Sequence, residues 1–369
     1  MSERPDVVAF AEKVLELLEE GRYTATYKYA VLLALMDLCL ERADRSGLPP
    51  STVTTRELAR RVVELYWPHT EPYPGARAGE VLQQNVGGQA EIVAAIAAFR
   101  RRAAPEAAAV WQAEQRAPRE FERLLREVEW KLVQMPLPRL QRIGHVTDEF
   151  IYSIHWDEGI RRRVLQEYWA GRAGFDNRIL LKPGVGGFLR DLHGLLRPLI
   201  HRRWAAMVAT LNRLPEVQLE AFLFGRDRVD TAPVRAPLWE LQERRCFYCG
   251  GRIGEPGQGV VDHFVPWARH PDSGLDNLVV ADARCNGWKG AWLAATDHLA
   301  RWAGRFAPGD RLGAGLEEVA ARVRWPRDPG RTQGAARSIY FWLPATARLW
   351  LRGRAFVAPD RDTIVRVLG

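Results

Sequence analysis

Val260-Val261-Asp262-His263-Phe264-Val265-Pro266-Trp267 stands in the last third of a 369-residue chain, and Leu275-Asp276-Asn277-Leu278-Val279-Val280 follows shortly after it. In both stretches apolar, mostly β-branched residues surround a polar pair, and Pro266 and Gly274 mark turns between them, which predicts two short strands. Cys285-Asn286-Gly287-Trp288-Lys289 comes next, and from Ala283 through Trp292 and Leu293 to Trp302 the apolar spacing predicts one helix. Strand, loop, strand and helix are therefore expected in a compact segment between about 246 and 302.

Outward from this segment the chain changes character. Residues 1–230 read as helical, with three-to-four apolar spacing over Val7–Glu20 and Tyr27–Glu41. Thr54 followed by Glu57 forms a capping-box pattern ahead of a helix over 56–66. Further helices are expected at 90–102, 118–133, 158–170, 188–211 and 217–224. The glycine clusters at Gly87-Gly88 and Gly184-Val185-Gly186-Gly187 lack the spacing of a phosphate-binding loop and read as turns. Residues 227–237, with two prolines, are the best linker. The expected organisation is a helical region at 1–230 that binds substrate or partner, a small domain at 236–304, and an extension at 305–369 packed on the core.

Composition narrows the class. Hydrophobic content of 47% supports packed cores rather than disorder. No apolar run approaches the roughly 18 residues of a membrane helix, and residues 1–20 carry acidic groups early, without a secretory pattern. That predicts a cytoplasmic protein with no membrane partner. Net charge of +8 suits a polyanion such as nucleic acid. Only five of the 53 basic residues are lysine, a bias that GC-rich coding explains without any function.

Four cysteines are present. Cys39 lies in the apolar run of 29–40 and reads as a buried small hydrophobe. Cys246, Cys249 and Cys285 crowd into forty residues, and the two-residue gap between the first pair reads as metal before disulfide.

Taken together, Asp262-His263, Asn277 fourteen residues on, and Asn286-x-x-Lys289 nine further resemble the motif of the HNH endonucleases, a ββα-metal fold. The Cys246-x-x-Cys249 pair and Cys285 resemble the zinc-bearing members of that family. The resemblance spans about 240–300 and implies a mainly α protein, with a helical N-terminal domain beside a small ββα-metal nuclease domain. It implies hydrolysis of DNA phosphodiester bonds with Mg²⁺ or Mn²⁺, and a setting such as bacterial restriction or antiphage defence. In it His263 is the general base that takes a proton from water. Asp262 and Asn286 offer hard oxygen donors to the catalytic cation. Asn277 fixes the loop and helps orient the imidazole, and Lys289 meets a phosphate.

Two positions depart from the pattern. Asn286 stands where many members have His, which disfavours softer metals. Asp282 stands where the fourth cysteine is usual, so a structural Zn²⁺ on Cys246, Cys249 and Cys285 takes its fourth ligand from Asp282 or from His298. Trp267, Trp288, Trp292 and Trp302 read as core first and as base-stacking residues second, and Arg269 and Arg284 as solvated or backbone-gripping. His145, His155, His193 and His201 show no metal spacing. Competing readings are a non-catalytic zinc module binding nucleic acid or protein, and an RNA-directed nuclease. A protein partner or a homodimer fits either.

Overall fold

The computed structural model describes residues 6–20, 24–75, 80–225 and 229–369, which form two compact units: Met1–Cys39 with Pro50–Asp227, and Leu40–Pro49 with Arg228–Gly369. The protein is mainly helical with four small sheets among the described residues. No described helix is long and apolar enough to cross a membrane.

In the first unit the helix that starts at Tyr27 is buried from Lys28 through Cys39, as a helix apolar all round must be. The expected capping box is present: the Thr54 side chain accepts from Glu57 N while Glu57 reaches back to Thr54 N. The helix 158–170 begins later, at Arg162, and 188–211 is two helices, Val185–Asp191 and His193–Asn212. Residues 52–54, 178–181 and 152–153 pair as a three-stranded antiparallel sheet that no alternation announced, because its strands are only two to four residues long. Gly87, Gly88 and Gly184 take the positive φ of turns, whereas Val185, Gly186 and Gly187 of the second glycine cluster begin a helix.

After Leu40–Pro49 the second unit continues with α1 (Ala232–Leu241), so most of the expected linker is helix, with Pro233 in its first turn; Asp227 and Arg228 lie outside the described residues. Its centre is an antiparallel pair, β1 (Gly259–His263) and β2 (Leu278–Asp282), in the register Asp262↔Val279 and His263↔Leu278. β2 is wholly buried from Leu278 to Ala281 and has no third strand beside it among the described residues. Side chains and one loop amide satisfy its outer edge instead, Phe247 N donating to Val280 O at 2.9 Å. Gln242 donates to Val280 O (2.8 Å) and accepts from Val280 N (2.8 Å), while Arg305 donates to Leu278 O (3.1 Å). Unmet, such buried backbone groups would cost about 1–3 kcal/mol each.

α2 (Ala283–Lys289) packs on both strands. It stops at Gly290, whose φ of +48° no side chain adopts easily, and α3 (Thr296–Gly304) starts afresh, so the single expected helix is two. Trp302 of α3 stacks on Phe264 (centroids 4.8 Å, planes 7° apart), a core role. Beyond lie α4 (Arg311–Val323), α5 (Pro329–Tyr340), the hairpin β3 (Leu349–Arg352) and β4 (Ala355–Val357), and α6 (Arg361–Leu368). The Trp350 backbone of β3 donates to Leu293 O (2.8 Å) and accepts from Ala295 N (2.8 Å), which ties the hairpin to the chain between α2 and α3.

Candidate active site and cysteine knuckle

β1 ends on Asp262 and His263. Asp262 is buried and its Oδ2 is held twice: by the Tyr248 hydroxyl at 2.6 Å and by the Lys289 ammonium at 2.9 Å. Lys289 is itself fully buried and also donates to His263 O (2.8 Å). An ammonium satisfied in this way is not presented to solvent, so Lys289 differs from the phosphate contact expected of it; it pins the carboxylate and the end of the strand. Burial pushes the Lys289 ammonium down from its ordinary value and the Asp262 charge works against that fall, while burial and the same charge hold the Tyr248 phenol well above its ordinary range. Both groups therefore face Asp262 as donors.

His263 is half-buried, its Nε2 lies 3.3 Å from Ser273 Oγ, and its ring meets the edge of Trp267 at 5.1 Å. Asn277 is fully buried and works on the backbone: its amide donates to Val265 O (3.1 Å) and Asp272 O (3.0 Å), and its oxygen accepts from Val265 N (2.8 Å). Its own carbonyl accepts from Phe264 N (2.7 Å). The loop between the strands is thereby clamped on both sides, directly after His263.

Asn286 is half-buried in the second turn of α2. Helix capping does not explain it, because Asp282 is the cap, accepting from Cys285 N at 2.8 Å. An amide oxygen and the unshared Oδ1 of Asp262 are both hard donors, which suits a divalent cation of the Mg²⁺ kind.

The second cluster stands on the CxxC loop and the start of α2. Ligand atoms of Cys246, Cys249, Asp282 and Cys285 all lie within 4.8 Å of one another, with Cys249 Sγ 3.2 Å from Asp282 Oδ2. All four cysteines, Cys39 included, are free thiols. His298, the other candidate for fourth ligand, is committed elsewhere: Nε2 to Leu351 O at 2.7 Å and Nδ1 to Arg301 at 2.9 Å. Three sulfurs and a carboxylate at this spacing fit a tetrahedral Zn²⁺ with bonds of about 2.0–2.3 Å. Burial raises the Cys246 thiol to about 11, and burial together with the Asp282 carboxylate raises Cys285 further; burial also works to raise Asp282, but hydrogen bonds from Cys285 N and the thiols bring it to about 2. A cation reverses this order for the thiols, since a metal binds thiolate.

Tyr248 is the residue that spacing did not reveal. It sits between the two cysteines of the loop, buried against Trp350 (5.2 Å, 87°) and His298 (5.3 Å, 84°), where an aromatic reads simply as packing. Ser273 was equally silent. Trp288 and Trp292 are about half exposed, at 45% and 50%, so neither is a core residue, whereas Trp302 is.

Residues 246–295 match the family of HNH endonucleases, a stretch that holds Asp262, His263, Asn277, Asn286, Lys289 and the whole cysteine cluster. No curated protein and no solved structure matches the chain.

Proposed function

We propose that the second unit is a metal-dependent endonuclease acting on DNA, with His263 as the base and Asp262 with Asn286 as the cation's protein ligands. A single observation carries this reading. A buried carboxylate is fixed through one oxygen by Tyr248 and Lys289, leaving the other for a cation, and the next residue along the strand is a half-exposed imidazole. A structural role for Asp262 alone leaves His263 and Asn286 unexplained.

Phosphodiester hydrolysis needs a deprotonated water, charge stabilisation at phosphorus and help for the leaving oxygen. A bound divalent cation supplies the charge stabilisation. His263 takes the water's proton; Ser273 Oγ beside Nε2 and the Trp267 edge restrict the ring. Asn277 acts as a positioning residue through the loop backbone, and Lys289 through Asp262 and His263 O. Cys246, Cys249, Asp282 and Cys285 would hold a structural Zn²⁺ that braces the CxxC loop and α2.

Plasmid nicking with Mg²⁺ or Mn²⁺ tests the reading. Wild type should nick and His263→Ala should fall by about 10²–10⁴-fold, the usual contribution of a general base. Equal activity in the two removes His263 from the mechanism, and cleavage confined to RNA removes DNA as the substrate. A defence role is checked separately by phage plating on cells expressing wild type or His263→Ala.

A further inference from the structure

The outer face of α2, the turn that follows it and the β3–β4 hairpin carry features that the cleavage chemistry does not use. Trp288 and Trp292 are about half exposed, and the Arg284 guanidinium lies 5.9 Å over the Trp288 ring. Phe356 of β4 meets Trp292 edge-on at 4.9 Å. The tight turn at Gly353 (φ +51°) lies against Trp288; a Cβ there would be 3.9 Å from the ring. Beside Phe356 an open depression of about 450 Å³ is lined by Thr346, Arg348 and Arg354. Arg284, Arg348, Arg352 and Arg354 are all exposed, and residues 283–295 and 341–359 contain no Asp or Glu.

Scattered exposed hydrophobics need no explanation, but two tryptophans with four arginines on two stretches that carry no carboxylate are a different surface. Rings that offer a face, together with guanidinium groups that suit phosphate, are what a strand with unpaired bases binds. A base pair inside a duplex hides its faces from such rings, so the occupant is single-stranded. We propose that this surface holds an unpaired stretch of nucleic acid, stacking bases on Trp288 and Trp292 and setting phosphates on Arg348 and Arg354. Helix α2 carries Asn286 on one side and Trp288 on nearly the opposite one, so the strand runs around a helix about 10–12 Å across. The inference rests on the nuclease reading for its biological sense, and it names the substrate: DNA with a single-stranded segment, such as a flap, gap or overhang.

The test uses the full chain carrying His263→Ala, without divalent metal, so that binding is read independently of cutting. A fluorescein-labelled single-stranded oligothymidylate of about 16 nucleotides, near the upper end of known single-strand site sizes, and a duplex of the same length are titrated by anisotropy. The single strand should bind more tightly than the duplex. Trp292→Ala should weaken the single strand about tenfold, Trp292→Phe should restore most of it, and the duplex should change less than twofold. Arg348→Gln with Arg354→Gln should lower the salt-dependence slope by about 1.4, since each phosphate that a single strand no longer has neutralised is worth roughly 0.7. Unchanged affinity in Trp292→Ala, or tighter binding of the duplex, overturns the inference. Nuclease failure would show instead as a wild type that nicks nothing, whatever the binding result.

Discussion

Lys289→Met removes one charge from a buried pair while keeping most of the side-chain volume. Asp262 loses its partner at 2.9 Å, keeps the Tyr248 hydroxyl at 2.6 Å, and stays in a site only 11% exposed at the side chain. His263 O loses its donor at 2.8 Å as well. Breaking a buried pair from one side costs about 3–5 kcal/mol, and the surviving phenol hydrogen bond places this case near the lower end, about 3 kcal/mol. Urea unfolding followed by fluorescence measures it, with Arg284→Met, exposed on the same helix, expected to stay within about 0.5 kcal/mol. A second consequence is specific to the proposed cation site. In wild type a divalent cation approaches a carboxylate already balanced by an ammonium; in Lys289→Met it meets an unbalanced one. Mg²⁺ or Mn²⁺ should therefore stabilise the variant more than the wild type, by up to about 2.7 kcal/mol at a hundredfold excess over its dissociation constant. A loss below about 1 kcal/mol, or equal metal stabilisation of the two proteins, refutes the argument that Lys289 works through Asp262.

Asn277→Ala leaves Val265 N, Val265 O and Asp272 O unpaired at buried residues, so stability should fall by about 3 kcal/mol at about 1 kcal/mol for each group, read as a lower urea midpoint. Atomic absorption should find one zinc per chain in the wild type and none in Cys285→Ser or Asp282→Ala, with His298→Ala keeping its zinc; the reverse pattern makes His298 the fourth ligand. Burial holds the His69 and His201 imidazoles down at about 3, with the Arg197 charge adding to the effect on His201. Since unfolded histidine titrates near 6.5, the unfolded chain binds more protons between about 6.5 and 3, and stability should fall as pH drops through that window. His201→Phe keeps the ring stack on Phe224 (3.9 Å, 5°) and should flatten the fall by one proton's share; an unchanged pH profile of the melting temperature counts against it.

What the sequence made legible follows from where local rules suffice. Thr54 and Glu57 cap the helix they announce, because a capping box closes within four residues. The strand pair and α2 were readable from Val260-Val261, Leu278-Val279-Val280 and the cysteine–asparagine spacing, since their polar residues interrupt otherwise apolar runs. The sequence does not announce α4 and α5: their apolar faces are narrow, with only Leu316 and Val319 buried in the first, and α5 is rich in glycine and alanine. The break at Gly290 was invisible because periodicity continues across it, while a positive φ is a tertiary fact. Partnerships were less legible than elements. Nothing local says that Gln242 will serve as the missing neighbour of Val280, or that Lys289 will turn inward.

Tyr248 shows how the two halves of the module depend on one another. Any x-x between paired cysteines satisfies metal spacing, so the residue there is free to do other work. Here it reaches from the cysteine loop to Asp262 Oδ2, while Trp350 from the distant β3 hairpin and His298 from α3 press on its ring. The position of the carboxylate thus depends on the loop that Cys246 and Cys249 shape and on a strand contributed by the C-terminal region. Damage to the cysteine cluster should therefore reach Asp262 without touching it, through one phenol. Tyr248→Phe separates that path from general unfolding: it leaves the ring packing and the thiols in place and removes only the 2.6 Å hydrogen bond. If nicking by this variant falls several-fold with zinc content unchanged, the hydroxyl carries the coupling; if nicking is unchanged, Lys289 alone suffices to hold the carboxylate.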